Sequence, residues 1–386
     1  MNGAEMSLRA QGRKLPVWWW KIDQGLFVAA MFLLILGIML SFAASPSVAL
    51  HLGRIDSYAF VKSHIMFAAV AVLLMLLISF FSPRMLRNSY MLLAGISFVL
   101  LIAVLFFGFE TKGSTRWLKI FGLTIQPSEF LKPAFIVTCS WLLSLKKEGQ
   151  KARYGWLFSF LFYVACFFLL VKEPDIGQAV LLTGVWCFMI FLAGVNLLLL
   201  GSFFSIFGGV FYIIYLYSYH VHQRVQKFLT GVGDTFQVDM GREAILHGSW
   251  MGVGPGEGTI KRLIPDSHTD FVFSVAAEEY GIIACMLLTL LFVFIVLKSM
   301  YKAQNQQDNF SRLCIMALAT QIGGQSFINI GVNLHLLPAK GMTLPFISYG
   351  GSSMLSVALS LGAILCLTKK QPQIQLTERL GSYSSY

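Results

Sequence analysis

Residues 24–43 read QGLFVAAMFLLILGIMLSFA, a run without a single charged side chain. The hydrocarbon core of a bilayer is about 30 Å thick and an α-helix rises about 1.5 Å per residue, so about 20 apolar residues cross it. The stretch therefore predicts a membrane-spanning helix. Arg9, Arg13 and Lys14 precede it and are followed by the aromatic run 18–20. This order is typical of a retained N-terminal tail with an interfacial aromatic anchor, and not of a cleaved signal peptide.

The composition extends this interpretation to the whole chain. Of its 386 residues, 56% are hydrophobic and only 12% are charged, whereas soluble domains are about 25% charged. The net charge is nevertheless +11. Such a chain is a poor candidate for binding nucleic acid, because it has no polar domain to carry a basic patch. The six cysteines all lie in apolar stretches without the spacing of a metal site, which is typical of core residues.

Nine further apolar runs follow the first. We therefore predict an all-α polytopic membrane protein with about ten transmembrane helices and a large extracytoplasmic loop, residues 220–269, between helices 7 and 8. Residues 1–20 and 371–386 are predicted to be cytoplasmic tails of a single membrane domain, residues 21–370. The predicted spans are 24–43, 58–81, 90–109, 129–145, 155–172, 176–194, 197–219, 270–299, 312–334 and 346–368.

The distribution of charge predicts the orientation. An even number of spans places both termini on one side, and with loops assigned by alternation that side carries 16 of the 29 Lys and Arg residues but 5 of the 18 Asp and Glu residues. Because basic loops face the cytoplasm, both termini are predicted to be cytoplasmic. The outer side then carries 13 charges of each sign, as a polar site at that surface requires.

Three polar stretches interrupt the apolar pattern, and all three fall on the predicted outer side. The first runs from Glu110 through Arg116 to Lys132. Its segment 117–125 is predicted to lie in the membrane interface, and Glu129 and Lys132 are one helical turn apart and able to pair. A snorkelling lysine and a glutamate at a helix N-terminus explain the same two residues equally well.

The other two polar stretches also allow more than one interpretation. Residues 173–177 read EPDIG, and Asp175 there is compatible with a tight turn whose carboxylates are solvated. The third stretch includes GVGPGEG at 252–258, which matches neither a Walker A nor a dinucleotide-binding motif. A backbone nest for an anion is the alternative interpretation of this stretch.

Three carboxylates mark the predicted eighth span. Asp270 is predicted to open this span, at a helix N-terminus that favours an ionised carboxylate. Glu278 and Glu279 follow about 12 and 14 Å further along the helix axis. Two adjacent carboxylates at that depth are costly unless they face the bundle or a wet cavity. We expect one of them to be structural and paired with a cation such as Lys132, which leaves the other as a candidate site residue.

Six motifs of this chain recur together, in the same order, in one known family. They are Gly113-Ser-Thr-Arg-Trp117, Gln126-Pro-Ser-Glu-Phe-Leu-Lys132, Pro174-Asp-Ile-Gly177, His268-Thr-Asp-Phe271 with Glu278-Glu279, Gly324-Gln325 with Asn329, and Leu344-Pro-Phe-Ile-Ser-Tyr-Gly-Gly-Ser-Ser353. Over about residues 21–368 the chain resembles the SEDS proteins (shape, elongation, division and sporulation), and among them the division members more than the elongation members. It departs from the family pattern at Glu173, where Gln is common, and at Pro255, where a larger apolar residue is frequent.

The resemblance implies a ten-span peptidoglycan glycosyltransferase that polymerises lipid II at the division septum, in the bacterial cytoplasmic (inner) membrane. The 4-hydroxyl of the incoming sugar attacks the anomeric carbon of the lipid-linked nascent glycan, undecaprenyl pyrophosphate leaves, and the linkage inverts. Asp270 matches the essential Asp of the family, which acts as the base that accepts the proton of that hydroxyl.

The leaving diphosphate needs positive charge close to it. The candidate substrate- or pyrophosphate-binding residues are Arg116, Lys132, Glu129, Arg224, Lys261 and His268. The candidate supporting polar residues are Glu110, Asp175, Glu278, Glu279, Gln325 and Ser348. No cofactor and no metal-ligating residue is predicted, although a divalent cation, Mg²⁺ or Mn²⁺, at the diphosphate is compatible with the chemistry. The implied partners are a class B penicillin-binding protein that acts as transpeptidase, and division regulators.

Two other functions remain open on the sequence alone, a lipid II flippase and a non-catalytic division scaffold. A flipping path for a diphosphate sugar requires polar groups through the bilayer or broken helices at its midplane. The predicted fifth, seventh and tenth spans carry almost no ionisable group, so the polymerase is preferred. A scaffold, by contrast, would leave Asp270 replaceable.

Overall fold

A computed structural model describes residues 14–51, 56, 58–111, 114–120, 122–145, 150–194, 236–338 and 341–369, with isolated residues between 201 and 226. Most of the described chain is helical. The helices are α1 Lys14–Lys21, α2 Gln24–His51, α3 Ala59–Ser79, α4 Pro83–Phe107, α5 Pro127–Ser144, α6 Gln150–Lys172, α7 Ile176–Leu192, α8 Phe236–Gly248, α9 Val272–Gln304, α10 Asn309–Asn333 and α11 Gly351–Leu367. Arg224 and much of the predicted seventh span lie outside the described residues.

The described helices confirm a mostly helical membrane protein. Six of them are long and apolar enough to cross a membrane, namely α2, α3, α4, α6, α9 and α10. Helices α7 and α11 are apolar but shorter, and α5 coincides with the predicted fourth span. Hydropathy located these elements because a spanning helix must satisfy all its backbone hydrogen bonds within itself and expose apolar side chains to lipid.

The bundle has inner and outer helices. Helix α11 is buried along almost its whole length, as is most of α5. Helix α2 shows the outer pattern, with Leu26, Ala30 and Leu33 packed inward while Val28 and Phe32 are more than half exposed. Buried and exposed residues thus recur with helical periodicity, and the exposed ones form an apolar stripe of the kind that a bilayer covers.

A small antiparallel sheet departs from the all-α expectation. Strands β1 Phe109–Thr111, β2 Ser114–Ile120 and β3 Leu123–Ile125 connect α4 to α5 in the order β1-β2-β3. Leu118, on the same face of β2 as Arg116, is buried. The prediction missed this sheet because a connection of under twenty residues, with polar side chains between apolar ones, gives a weak strand signal, whereas pairing satisfies its backbone groups.

Helix α9 is broken at Gly281, where the predicted eighth span was expected to be continuous. Gly281 has φ 79° and ψ 174°, a conformation essentially restricted to glycine. The break frees the carbonyl groups of Glu278 and Glu279, which accept the N–H groups of Val253 and Gly254 at 2.9 and 3.1 Å. The glycine-containing loop before α9 therefore completes the backbone hydrogen bonding of the broken helix.

Gly281→Ala is expected to lower the free energy of unfolding by about 2–3 kcal/mol. A Cβ at this position would meet the carbonyl oxygen of Trp250, and the positive φ adds strain. The measurement is thermal unfolding of the detergent-solubilised protein followed by tryptophan fluorescence. Gly95→Ala is the matched control, because its Cβ enters open space on α4, and it is expected to be neutral or slightly stabilising. Equal melting temperatures for the two variants would contradict the kink assignment.

Candidate functional site

Asp270 lies in the turn immediately before α9, rather than at the first residue of the helix, which is Val272. Its backbone carbonyl oxygen accepts hydrogen bonds from Asn329 Nδ2 at 3.0 Å and from Asn333 Nδ2 at 2.9 Å. The residue itself is half-buried. Two amides of α10 therefore fix the backbone at Asp270 at a position where the residue retains access to its surroundings.

The turn that carries Asp270 packs against the segment before α11 and against α3. The carbonyl oxygen of His268 accepts the N–H of Tyr349 at 2.9 Å. The ring of His268 lies 4.8 Å from that of Phe60 and 5.5 Å from that of Tyr349, between centroids. Gly341 lies beside Asp270 Oδ2. His268 therefore helps to hold the turn in place, while its predicted contact with substrate stays a prediction.

One face of α10 carries three amide side chains spaced one helical turn apart, Gln325, Asn329 and Asn333. Gln325 Nε2 donates to the carbonyl oxygen of Thr343 at 3.0 Å, and Asn329 Nδ2 donates to that of Met342 at 2.6 Å. This face links the segment before α11 to the turn of Asp270. Sequence reasoning missed Asn333, although its i, i+4 spacing from Asn329 in an apolar span was a usable signal.

Ser348 has a local role in the segment between α10 and α11. Its Oγ accepts the N–H of Leu344 at 2.8 Å, and the side chain is buried. The hydroxyl groups of Thr343 and Ser353 are hydrogen bonded at 2.6 Å. Hydroxyl groups of the segment and of the first turn of α11 therefore order it, while the supporting role of Ser348 at the site stays a prediction.

A second group of predicted residues comes together between the sheet, α5 and the α6–α7 turn. We call Arg116, Glu129, Lys132, Glu173 and Asp175 the ion-pair cluster. Lys132 Nζ lies 2.8 Å from Glu129 Oε2, which confirms that these two side chains pair. Lys132 also donates to Gln325 Oε1 at 3.0 Å, so the cluster is joined to the amide face of α10.

Arg116 and Asp175, distant in the sequence, form the other pair of the cluster. Arg116 Nη1 lies 3.5 Å from Asp175 Oδ1, and Arg116 Nη2 donates to the carbonyl oxygen of Pro174. Asp175 also accepts Gln126 Nε2 at 3.3 Å. The alternative of solvated carboxylates in a tight turn is therefore wrong for Asp175, which is fully enclosed.

Glu173 is the unpaired acid of the cluster. It is completely buried, and neither carboxylate oxygen has a hydrogen-bond partner among the described residues. Burial raises the pKa of Glu173 to about 8, with a further contribution from the Asp175 carboxylate and opposition from Arg116. A protonated Glu173 leaves two cations facing two carboxylates, which balances the charge of the cluster.

The raised pKa of Glu173 gives an expected pH dependence. The folded state favours the protonated acid, so its contribution to stability is fully present below pH 4.5 and is lost as the pH rises to about 8. Thermal unfolding temperatures of the wild type should therefore fall as the pH rises from 4.5 to about 8 and change little above that. Glu173→Gln, a neutral side chain of the same shape, should flatten this profile. Parallel profiles for the two proteins would show that Glu173 is not protonated in the folded state.

The carboxylate of Glu278 lies in a nest of backbone N–H groups that directly follows the glycine-rich stretch 252–258 and is not formed by it. Its carboxylate accepts the backbone N–H groups of Thr259, Ile260 and Lys261 at 2.9, 2.8 and 2.8 Å, and lies 3.1 Å from His247 Nδ1. The anion in this nest is therefore a side chain of the protein itself. The expected pairing of Lys132 with Glu278 or Glu279 is wrong, because the loop before α9 already supplies partners to both acids.

Glu279, by contrast, is bound mainly by the side chain of Lys261. Lys261 Nζ forms an ion pair with Glu279 Oε1, which also accepts the N–H of Gly256 at 3.0 Å. Both charged side chains are buried. This geometry favours a structural role for Lys261, since a lysine already paired in the interior has little to offer to a diphosphate.

The remaining predicted residues lie apart from these groups. Glu110 is exposed on β1, and Arg224 is among the residues that are not described. Within the described part of the chain, no group of three or more His, Cys, Asp or Glu side chains is placed to hold a metal ion. In the ion-pair cluster Glu129 and Asp175 are already paired with Lys132 and Arg116, which leaves Glu173 as the one acid without a cation, so these residues do not fit a protein-held divalent cation.

Comparison with known proteins gives a consistent result. The model of the FtsW/RodA/SpoVE cell cycle protein family matches residues 24–373. The chain is 43% identical to the probable peptidoglycan glycosyltransferase FtsW of Caulobacter vibrioides, over 96% of this chain and 95% of that protein. It is 32% identical to the protein of the same description from Trichlorobacter lovleyi, over 89% and 92% of the two chains.

Solved structures share the fold. A chain from a study of the structural coordination of polymerization and crosslinking by a peptidoglycan synthase complex superimposes with a TM-score of 0.76 at 25% identity, covering 91% of this chain and 98% of that one. The rod shape determining protein RodA of Thermus thermophilus superimposes with a TM-score of 0.68 at 24% identity, covering 91% and 97%.

Proposed function

Because the chain belongs to the FtsW/RodA/SpoVE family of cell cycle proteins, we propose that it is a peptidoglycan glycosyltransferase that polymerises lipid II at the division septum. The observation that carries this proposal is the arrangement at Asp270. Asp270 is half-buried, and Asn329 and Asn333 hold its backbone carbonyl group in place. A general base needs this combination of access and fixed position.

The proposed reaction places the base at the acceptor sugar. The 4-hydroxyl of the incoming lipid II gives its proton to the Asp270 carboxylate as its oxygen attacks the anomeric carbon of the growing glycan. The bond from that carbon to the lipid diphosphate breaks, the electron pair leaves with the diphosphate, and the configuration inverts. Because the substrates keep their lipid tails in the bilayer, a base at the end of a spanning helix can meet their sugars.

Arg116 is the best placed cation for the leaving diphosphate. Its side chain is 12% exposed, whereas that of Lys132 is 3% exposed and contacts Glu129 and Gln325. Negative charge develops on the diphosphate in the transition state. A fixed and mostly buried guanidinium group stabilises this charge. We assign Lys132 to holding the cluster and Arg116 to the substrate. No step is assigned to a divalent cation.

The proposed topology has ten spans with both termini in the cytoplasm and the loop 220–269 outside. The charge distribution of the sequence supports this orientation. The contacts between the polar stretches support it as well, since Arg116 reaches Asp175, and Lys132 reaches Gln325. All of these residues then belong to the outer half of the molecule, where the acceptor and donor sugars are presented.

A cross-linking partner is part of this proposal. A glycan polymerase of this kind makes strands but supplies no transpeptidase domain within the described residues. The structurally similar chain comes from a complex in which polymerization is coordinated with crosslinking. We therefore propose a class B penicillin-binding protein as the transpeptidase partner, with division regulators acting on the pair.

The test is reconstitution of the full chain with its transpeptidase partner in liposomes that contain labelled lipid II. Glycan strands are resolved by gel electrophoresis, and movement of lipid II between leaflets is followed in the same vesicles by its accessibility to an added enzyme. The proposal expects strands that require the chain. Movement of lipid II without strands would favour a flippase, and neither activity in a folded complex would favour a scaffold.

A further inference from the structure

A polar cavity lies at the opposite end of the bundle from Asp270. Its volume is about 260 Å³, and it forms where the junction of α1 and α2 meets the last turns of α9. The side chains that matter here are Lys21, Asp23, Lys298 and Lys302, with Trp20 at the rim. The glycosyltransferase proposal does not use any of them.

The cavity has an excess of positive charge. Asp23 Oδ1 lies 3.0 Å from Lys298 Nζ, and Asp23 Oδ2 lies 3.1 Å from Lys302 Nζ. Burial raises the pKa of Asp23, but Lys298, the N–H of Leu26 and Lys302 together hold it below its ordinary value. One carboxylate therefore faces three lysines, including Lys21, and the lining carries a net charge of about +2 when all four are ionised.

The two lysines of α9 are held in place by the fold. They are four residues apart at the end of the helix, and their ammonium groups converge on the single buried carboxylate of Asp23. Lys298 Nζ rests against Gly25, where a Cβ would overlap it. Both lysine side chains nevertheless remain more than a quarter exposed. Each ammonium has three N–H donors, so donors remain for a ligand.

The side chains around the cavity are exposed and apolar or aromatic, as is typical of a surface that lipid covers. Trp20 at the rim is 69% exposed, and Leu297 and Tyr301, on the turns that carry the two lysines, are 60% and 65% exposed. Aromatic residues of this kind mark the level of the headgroups in membrane proteins. The cavity thus opens at the depth where lipid phosphates lie, on the side that the charge distribution assigns to the cytoplasm.

From this geometry we propose that the cavity formed by Lys21, Asp23, Lys298 and Lys302 binds the phosphate group of an anionic phospholipid. Basic pockets between spanning helices on the cytoplasmic side are suited to such headgroups. The phosphate oxygens take the free N–H donors of Lys298 and Lys302, and the acyl chains continue along the exposed apolar side chains of α2 and α9. The alternative source of the same chemistry is free phosphate from solution.

The test is native mass spectrometry of the purified full chain titrated with phosphatidylglycerol or with phosphatidylcholine. Wild type is expected to retain one phosphatidylglycerol more tightly than phosphatidylcholine. Lys302→Gln is expected to weaken retention of phosphatidylglycerol by about fivefold. Arg312→Gln is the matched control, because Arg312 is exposed on α10 and outside the cavity, and it should leave retention unchanged.

Asp23→Asn separates binding from folding. The amide oxygen of Asn still accepts the N–H of Leu26, but the internal counter-ion of the lysines is gone. Retention of phosphatidylglycerol should therefore rise, and thermal unfolding of the same sample shows that the variant is folded. A drop in Asp23→Asn, an equal loss in Arg312→Gln, or equal retention of the two lipids by wild type would overturn the proposal.

Inorganic phosphate, added in detergent at increasing concentration, distinguishes the two sources. Failure of millimolar phosphate to displace phosphatidylglycerol supports the lipid as the ligand. Full displacement of phosphatidylglycerol by less than about 1 mM phosphate would mean that the site binds free phosphate with a Kd below about that value. This result would overturn the assignment to lipid.

Discussion

Replacing Asp270 with Asn is expected to lower the rate of glycan polymerisation by about 10²–10⁴-fold, the usual contribution of a general base. Asn has the same shape as Asp but cannot accept the proton of the sugar hydroxyl. The backbone hydrogen bonds from Asn329 and Asn333 go to the carbonyl oxygen of Asp270, not to its side chain, so they persist in the variant. The loss should therefore appear in the rate of the chemical step, while binding of lipid II remains.

Asp266→Asn is the matched control for this variant. Asp266 lies four residues earlier in the same turn and is equally half-buried. Its polymerisation rate should stay within about twofold of wild type, as is usual for substitutions away from a site. Equal rates for Asp270→Asn and wild type would remove Asp270 from the mechanism. An equal loss in both variants would point to a general sensitivity of the turn.

Lys132→Met is expected to lower the free energy of unfolding by about 3–5 kcal/mol, because it leaves the Glu129 carboxylate buried without its cation. Lys132 and Glu129 are 3% and 4% exposed in their side chains, so water does not replace the lost partner. The measurement is thermal or denaturant unfolding in detergent. An unfolding free energy within 1 kcal/mol of wild type, about the scale of an exposed pair, would contradict the burial of this pair.

The double variant Glu129→Gln/Lys132→Met separates stability from catalysis. It removes both charges, so most of the stability should return, as is found when buried ion pairs are replaced together. If Lys132 only holds the cluster, polymerisation should return with stability. Restored stability without activity would instead assign Lys132 to the substrate and contradict its structural role.

Structural features that depend only on residues close together in the sequence could be predicted from it. Apolar runs located the described spanning helices, because hydropathy over about 20 residues depends on neighbouring residues alone. The Glu129–Lys132 pair was predictable for the same reason, since its members are one turn apart. The turn that carries Asp270 was identified from its motif, although the helix begins two residues later.

The features that the sequence did not reveal depend on distant contacts. The break at Gly281 exists because the loop before α9 supplies N–H groups to the carbonyls of Glu278 and Glu279, and periodicity carries no information about such a loop. The partner of Lys261 was missed for the same reason. Arg116 meets Asp175 across 59 positions, a distance over which neither helical spacing nor propensity applies.

The most direct test of the central claim is the stoichiometry of lipid diphosphate release during polymerisation. In the reconstituted complex, transfer at Asp270 predicts one undecaprenyl pyrophosphate released for each disaccharide unit joined, and release reduced with strand formation in Asp270→Asn. The reason is that breaking of the bond to the diphosphate and formation of the glycosidic bond are one step. Strand formation that continues at the wild-type rate in Asp270→Asn, or lipid II that crosses the membrane without any diphosphate release, would contradict the account.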